Sequence, residues 1–524
     1  MSTAYAGYAG RVMLVNLSDE TVREYPLSDA ERKQYLGGKP MAYKLLYDHL
    51  TGKEHAFSEE NWIIISTGPL TLTGAPSSSR YDITTISPRI NTPVSSNCGG
   101  AFGLWLKRAG FDALILAGRC STPHWLEIRD DQFVFHDATG LWGTCCDDCR
   151  EQLCCLMGDS QHGSLYIGPA GENGVRFASL MDGTHTSGRT GIGAVFGWKN
   201  IKAITVAGTK TLPIRNLNKT SLLNKKYFQK LNAHPLTGKN SRRETPTSKP
   251  CSGCPILCRR QFTKGADRQI DMFNRLGMDS GSARDVVDWA YAASAQGIFD
   301  SNLPTREQLY RDIAFRRGIG KELSEGTEYL SRKYDFKLPK KQGMDHDSHN
   351  RDDGYFSLLR GWGFDPDSMS EEIRLNSILL YLDLCEALSA SGLCMFIINA
   401  FCPGILLTKP FSLRSKLIRR IVMLCAERFL HRIVRKPETL SIPMPFFWQT
   451  KILYTVSGLK MTPGQLIRVG ERCFALEQLL RLRFGGDAEK LPKMLAKERI
   501  CTPGEYFAVR GWSAQGVPTN DKLL

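Results

Sequence analysis

Over residues 1–213 the apolar positions fall in short runs broken by glycine, proline and acidic turns, a spacing that predicts strands rather than long helices. Gly10–Leu17 and Thr21–Leu27 predict a hairpin joined at Ser18-Asp19-Glu20. Gly37-Gly38 opens a helix carried by Met41, Leu45, Leu46 and Leu50. Trp62–Ser66 is a run of the kind buried on both faces, ending in Thr67-Gly68-Pro69-Leu70-Thr71. Further strands are predicted at Tyr81–Ile86, Ala113–Ala117, Trp125–Ile128 and Phe133–Phe135. Beyond this β-dominated part the pattern turns helical. Phe411–Val434 shows one apolar stripe through Leu417, Ile421 and Leu424 and another through Ile418, Val422, Cys425 and Phe429, with basic residues between. The fold class expected is α+β, a β-rich N-terminal domain followed by mainly α-helical domains, and 524 residues exceed one ordinary core.

Charge changes this picture little. The net +15 is concentrated in residues 401–440, with nine Lys/Arg against two acids, and residues 239–264, with seven against one. Basic residues gathered in two segments argue against a nucleic-acid-binding face; the second segment suits an anionic metal cluster or an acidic redox partner. No apolar run reaches membrane-spanning length, and Met1–Tyr8 does not read as a secretory leader. Sixteen cysteines without such a leader point to a reducing compartment, the cytoplasm, where clustered thiols more often mean metal than disulfides.

Three thiols stand close together at Cys251, Cys254 and Cys258. A short loop of this kind can offer three thiolates to an iron–sulfur cubane, with a fourth from elsewhere, for which Cys394 in Ser391-Gly392-Leu393-Cys394 is the candidate. A tetrahedral zinc site uses the same ligands and remains open. Two glycine clusters, Ser95–Gly103 and Asp182–Gly193, would let backbone approach a ligand, and Arg189 in the second could clamp a phosphate. A dinucleotide reading of that stretch is weak, because Lys199–Ala207 supplies no acid at a strand end for a ribose. Cys145, Cys146, Cys149, Cys154 and Cys155 read as a cysteine-enriched helix rather than a second cluster, and Asp345–His349 as a solvated loop.

The chain resembles the aldehyde ferredoxin oxidoreductase family. The likeness is carried by Gly10–Leu17, Gly68-Pro69-Leu70-Thr71, Ser79-Arg80-Tyr81, Asn97-Cys98-Gly99-Gly100, Ile167–Asn173 and Gly188–Lys202, by the cysteine motif with its proline, and by Gly392-Leu393-Cys394. It implies a pterin-binding β domain over residues 1–213, a helical domain with the cluster motif over 214–380, and a helical domain supplying the fourth cysteine over 381–524. It also implies a [4Fe-4S] cluster on Cys251, Cys254, Cys258 and Cys394, and a tungsten or molybdenum ion held by two pterins whose phosphates are bridged by magnesium. Arg80, Asn97, Gly99, His185, Thr186, Gly188 and Arg189 fall at the family's pterin and magnesium contacts. The activity implied is oxidation of a small aldehyde to a carboxylic acid, with electrons passed to ferredoxin or a similar carrier; a homo-oligomer is an open option.

The resemblance weakens in the middle of the chain. The family's D-x-x-G-x-D motif stands here as Asn274–Asp279 and its D-x-x-G-L-C motif as Ser389–Cys394, so Asn274 and Ser389 replace carboxylates, while Asp279 and Leu393 are kept. Asn and Ser still accept hydrogen bonds, so weaker cofactor binding is expected rather than none. The segment between Cys258 and Asn274 is short where the family carries acidic residues near the metal, and no acid/base residue is identified. Leu309–Tyr334 resembles a family helix, with Gly318, Gly320 and Gly326, and likeness returns at Pro463–Leu482 and Tyr506–Leu524.

Overall fold

The computed structural model describes residues 3–158, 161–233, 251–255, 267–300, 302–338, 370–397, 431–441, 448–492, 495–496 and 500–523. Cys258, the loop 340–353 and the predicted helix Phe411–Val434 as far as residue 430 lie outside them, as does most of the two basic segments.

Two six-stranded sheets build the N-terminal part. The first holds β1 (Val12–Asn16), β2 (Thr21–Tyr25), β3 (Ile63–Thr67), β4 (Tyr81–Ile86), β5 (Pro93–Cys98) and β6 (Ala113–Ala117); the second holds β7 (His124–Arg129), β8 (Gln132–Asp137), β9 (Gly163–Tyr166), β10 (Leu180–Asp182), β11 (His185–Ser187) and β12 (Ile201–Ala207). The hairpin β1–β2, the helix Gly38–His49 and strands β3, β4, β6, β7 and β8 stand where the apolar pattern puts them, while the short helix Asp29–Tyr35 was not expected. Most of β5 and all of β11 lie in the stretches read from sequence as glycine clusters, and β10 ends where the second of them begins.

The two sheets are one design used twice. Their orders are β2-β1-β6-β3-β4-β5 and β8-β7-β12-β9-β10-β11. Strand sense repeats as well: β1 with β6 and β7 with β12 are parallel, and every other neighbouring pair is antiparallel. Each half also runs hairpin, helix, three strands, helix, strand, the helices being Gly38–His49 and Phe102–Arg108 in the first and Cys146–Met157 and Ile192–Trp198 in the second.

Period-two side-chain alternation decides which core each strand residue enters. Met13, Val15, Ile63, Ile65, Leu114 and Leu116 of the first sheet meet Leu126, Ile128, Leu165, Ile204 and Val206 of the second. Val12, Leu14, Ile64 and Ile115 face outward beneath Met41, Leu45 and Leu46 of the helix Gly38–His49 and Leu476 and Leu480 of the helix Pro463–Arg483. The outer face of the second sheet, with Trp125, Tyr166 and Ala203, is covered by Cys146, Cys149, Leu153 and Met157. The cysteine-enriched stretch is thus a covering helix, with Cys154 and Cys155 exposed.

Helical parts close over the sandwich from both sides. One packs Phe273, Val286, Trp289, Leu309 and Ile313 against Ala170, Phe177 and Ala194. The other packs Ile378, Leu382, Leu388, Trp448 and Ile467 against Tyr8, Leu36 and Leu70. Its inner helix Glu371–Ala390 runs without interruption through residue 380. Leu309–Tyr334 is not one helix but three pieces, Arg306–Phe315, Gly320–Leu323 and Thr327–Lys333. Left-handed backbone at Arg316, Gly318 and Gly326 breaks the run, because those torsions cannot continue a right-handed helix.

Candidate functional site

Two helix ends are aimed at the strand ends of the sandwich, and the related sequences Asn274–Asp279 and Ser389–Cys394 form them. In each, a glycine takes a left-handed φ, +73° at Gly277 and +85° at Gly392. The following N–H then turns back into the helix: Met278 N donates to Phe273 O and Leu393 N to Leu388 O, both at 2.9 Å. Both ends are Schellman closures, which need φ values that a side chain strains. The glycine carbonyls dock at related places, accepting from Ser179 N just before β10 (2.8 Å) and from Arg80 N just before β4 (3.3 Å). A Cβ at Gly68 would strike Gly392, and one at Gly168 would strike the Leu276 carbonyl.

The half-site at Gly392 gathers most of the residues named from sequence. Asn97 stands directly across from Asp82 in the β4–β5 ladder. Its Nδ2 donates to Asp82 Oδ1 and to Ser389 Oγ, both at 3.2 Å, and Ser389 Oγ donates to Asp82 Oδ2 at 2.8 Å. Burial pushes the Asp82 carboxyl up to about 6, and hydrogen bonds from Ser389 and Asn97 oppose that rise. Arg80 Nη2 donates to Cys394 Sγ at 3.4 Å. Burial works against the Arg80 charge, but the Cys394, Cys251 and Cys98 thiols outweigh it and hold the guanidinium above its ordinary value. His185 Nε2 lies 3.2 Å from Cys251 Sγ, so this imidazole meets a thiol of the Cys251–Cys254 turn rather than standing apart in the second sheet. Ser77 Oγ donates to Cys254 Sγ at 3.1 Å, while Ser77 O accepts from Cys394 N at 3.0 Å. Leu393 is fully buried in the adjoining core.

Gly99 explains itself by what surrounds it. A Cβ there would stand 2.5 Å from Cys251 Sγ, 3.3 Å from His185 Cδ2 and 3.4 Å from Arg80 Nη1. At Gly100 a Cβ would meet the Asp182 carboxylate, which accepts from Phe102 N (2.9 Å), Ala101 N (3.3 Å) and Tyr81 Oη (3.0 Å).

The half-site at Gly277 repeats the geometry with different chemistry. Thr186 pairs with Met181 as Asn97 pairs with Asp82. Gly188 takes the place of Gly99, and a Cβ on it would stand 2.7 Å from Asp279 Oδ1. Asp279, two residues after Gly277, matches Cys394, two residues after Gly392, and its other oxygen caps the helix Ser280–Ala295 by accepting from Ser282 N at 2.8 Å. Arg189 has φ +70°, and its carbonyl accepts from Arg89 Nη1 at 2.8 Å. Asn274 sits half-buried in the last turn of its helix, its carbonyl accepting from Gly277 N at 3.2 Å.

The residues present fit a large polar ligand at both halves. Ser79 Oγ, Arg80 Nε, Ser179 Oγ and Ser187 Oγ are buried polar atoms with no hydrogen-bond partner among the described residues. Buried polar atoms are rarely left unpaired, and these four lie at corresponding strand ends, Ser179 matching Arg80 and Ser187 matching Cys98. Among the described residues no three His, Cys, Asp or Glu side chains are placed to hold one metal ion. A cubane does not ask for that, since it takes one thiolate at each iron corner, and the ligand set includes Cys258 outside the described residues.

The sequence reading missed Asp82 and the duplication. Asp82 is in period-two register with Arg80, so both lie on one face of the chain entering β4. The duplication had a faint sequence signal in Gly68-Pro69 and Gly168-Pro169, each following the third strand of its half.

A duplicated sandwich closed by two helical parts, with buried thiols, arginine and carboxylate at the seam, defines a class of α+β cofactor-binding scaffolds. The chain belongs to the aldehyde ferredoxin oxidoreductase family of oxidoreductases. The family's N-terminal domain matches residues 12–208, and its domains 2 and 3 match 268–347 and 342–524. A tungsten-containing aldehyde ferredoxin oxidoreductase of Pyrococcus horikoshii is 26% identical over 99% of this chain and 98% of its own length. One from Thermococcus kodakarensis is 27% identical over 97% of each. The WOR-like subunit of an aliphatic sulfonate oxidoreductase from Pyrococcus furiosus is 34% identical over 43% of this chain and 38% of its own. The fold is also that of the active-site complex of a benzoyl coenzyme A reductase, at a TM-score of 0.73 and 20% identity over 99% of this chain and 97% of the other. The alignment with the first relative spans 640 positions against 524 residues here, so the relative carries segments this chain lacks. No described helix is long and apolar enough to cross a membrane.

Proposed function

We propose that this chain oxidises small aldehydes to carboxylic acids at a tungsten ion held between two pterins, one at each half-site. Cys251, Cys254, Cys258 and Cys394 would hold a [4Fe-4S] cluster, and ferredoxin would take the electrons in the cytoplasm. Tungsten is preferred over molybdenum because the full-length relatives are tungsten-containing. The observation that carries the reading is the pair of matched helix ends, each docked on a strand end with unpartnered buried polar atoms beside it.

The tungsten–pterin group, when bound, supplies the redox chemistry: aldehyde and water give carboxylic acid, two protons and two electrons. The chain's share is binding, orientation and electrostatics. Arg80 and Arg189 would offer guanidinium groups to pterin phosphates, and Asn97 and Thr186 would offer oxygens to a magnesium ion that offsets the phosphate charge. Gly99 and Gly188 leave room where a Cβ would meet the opposing turn. Cys251, Cys254 and Cys394 gather at the half-site of Gly392, where they would hold the cluster, with Arg80 offsetting thiolate charge. Residues 1–213, 214–380 and 381–524 would be the three domains.

The test is reduction of a viologen dye by a panel of aldehydes under strict anaerobiosis, using protein from cells supplied with tungstate and iron. Turnover that depends on tungsten supports the reading. Fully loaded protein that reduces no dye with any aldehyde contradicts it. A second reading, an electron-transfer protein that keeps its cofactors without aldehyde turnover, draws on the segments this chain lacks beside its relatives.

A further inference from the structure

We infer that Asp82 supplies the acidic pterin anchor that Ser389 cannot, the carboxylate having moved across the seam from the helix end to the neighbouring strand. The inference rests on the pterin reading above. The resemblance expects an acid at position 389, and a hydroxyl stands there. That hydroxyl is nevertheless in direct contact with a carboxylate, since Ser389 Oγ donates to Asp82 Oδ2 at 2.8 Å. Asn97 Nδ2 donates to the other oxygen at 3.2 Å and holds the carboxylate from across the ladder.

The site is built for an acid. Asp82 is 2% exposed and is crowded by Gly38, where a Cβ would stand 2.8 Å from Asp82 Oδ2. An ionised carboxylate has about four acceptor positions, and the two hydrogen bonds recorded leave acceptor capacity on both oxygens. A pterin presents ring N–H and amino donors, the groups that capacity would take, and its binding would complete a buried carboxylate that is now incompletely paired. Asp82 lies two residues from Arg80, so one strand end offers a cation for phosphate and an anion for pterin nitrogen.

The other half makes the contrast. The place of Asp82 is taken there by Met181, opposite Thr186, and the neighbouring Asp182 carboxylate is taken by Phe102 N, Ala101 N and Tyr81 Oη, so the matching position offers no acid in place of the one replaced by Asn274. One half-site keeps its acidic anchor by transposition, and the other does not.

The test measures cofactor release rather than turnover. Protein purified anaerobically with tungstate is diluted, and loss of tungsten and of fluorescent oxidised pterin is followed, with iron content as the folding control. Asp82→Asn should release pterin and tungsten about ten-fold faster with iron unchanged, the loss expected for one charge-assisted hydrogen bond. Ser389→Asp alone should not slow release, because it sets two carboxylates against each other. The exchange Asp82→Asn with Ser389→Asp should return release to within about two-fold of the parent. Parent-like release by Asp82→Asn overturns this inference alone, and so does failure of the exchange to rescue while iron is retained. A parent protein that carries no pterin overturns the pterin reading as well.

Discussion

The half-site at Gly392 and the half-site at Gly277 share a backbone and differ in what they place on it. Both are a glycine-closed helix end docked before the fourth strand of a six-stranded sheet. In the first, arginine, carboxylate and asparagine stand where the second has serine, methionine and threonine, and a thiol stands where the second has Asp279. Duplication fixes where two related ligand groups can sit. The side chains then differ in chemistry: the first half gathers the thiols of Cys251, Cys254 and Cys394 and the buried Asp82 carboxyl, and the second carries the Arg189 segment and a helix-capping carboxylate.

The strongest way to break this comparison is to exchange the ligand-bearing positions. Cys394→Ser should remove most of the iron, because a cubane that loses one thiolate loses a corner. Asp279→Ser, at the matching position, should leave iron at parental content. Equal iron loss in both variants would end the assignment of the cluster to the first half. Gly99→Ala should act in the same direction more mildly, since its Cβ would stand 2.5 Å from Cys251 Sγ, while Gly188→Ala should spare iron and disturb Asp279 and Ser179 instead. Metal analysis of the four proteins decides both pairs.

Arg189→Ala sharpens the second half. Loss of a charge-assisted pair to phosphate should speed tungsten release about ten-fold or more without changing iron. Unchanged release would remove Arg189 from the site.

A pH prediction follows from the seam between the sheets. Burial pushes the Asp182 carboxyl up to about 6 from 3.8, against the hydrogen bonds of Phe102 N, Ala101 N and Tyr81 Oη. The folded chain therefore binds this proton more tightly than the unfolded chain. Asp182 makes stability fall as pH rises from about 4 to about 6, by up to about 3 kcal/mol, and adds no slope above that. Asp182→Asn should remove this share of the decline. Parallel pH profiles for parent and variant, from denaturant unfolding, would contradict it.

The smallest effect is expected at Asn274→Asp, which restores an acid where the β10 position matching Asp82 is Met181. It should slow cofactor release a few-fold, in contrast to Ser389→Asp.

Much of this was legible in sequence where residues repeat every second position with both faces apolar, as in Ile63–Thr67 and Ala113–Ala117. Arg80, Asn97, Gly99, Cys251 and Cys394 were named from motifs, and tertiary packing brings them within a few contacts of one another. The second half was harder to read. Leu180–Asp182 and His185–Ser187 are too short to show a period, so their pairing depends on the sheet rather than on local pattern. Asp82 was missed because its meaning lies in Ser389, distant in sequence and adjacent only after the helix end docks.

The central claim is that two related half-sites each hold one pterin around a single metal beside one cluster. The most direct measurement is the ratio of pterin, tungsten and iron in protein purified anaerobically from tungstate- and iron-supplied cells. Two pterins and four irons for each tungsten are expected. One pterin per tungsten, or stoichiometric zinc in place of iron, would contradict it.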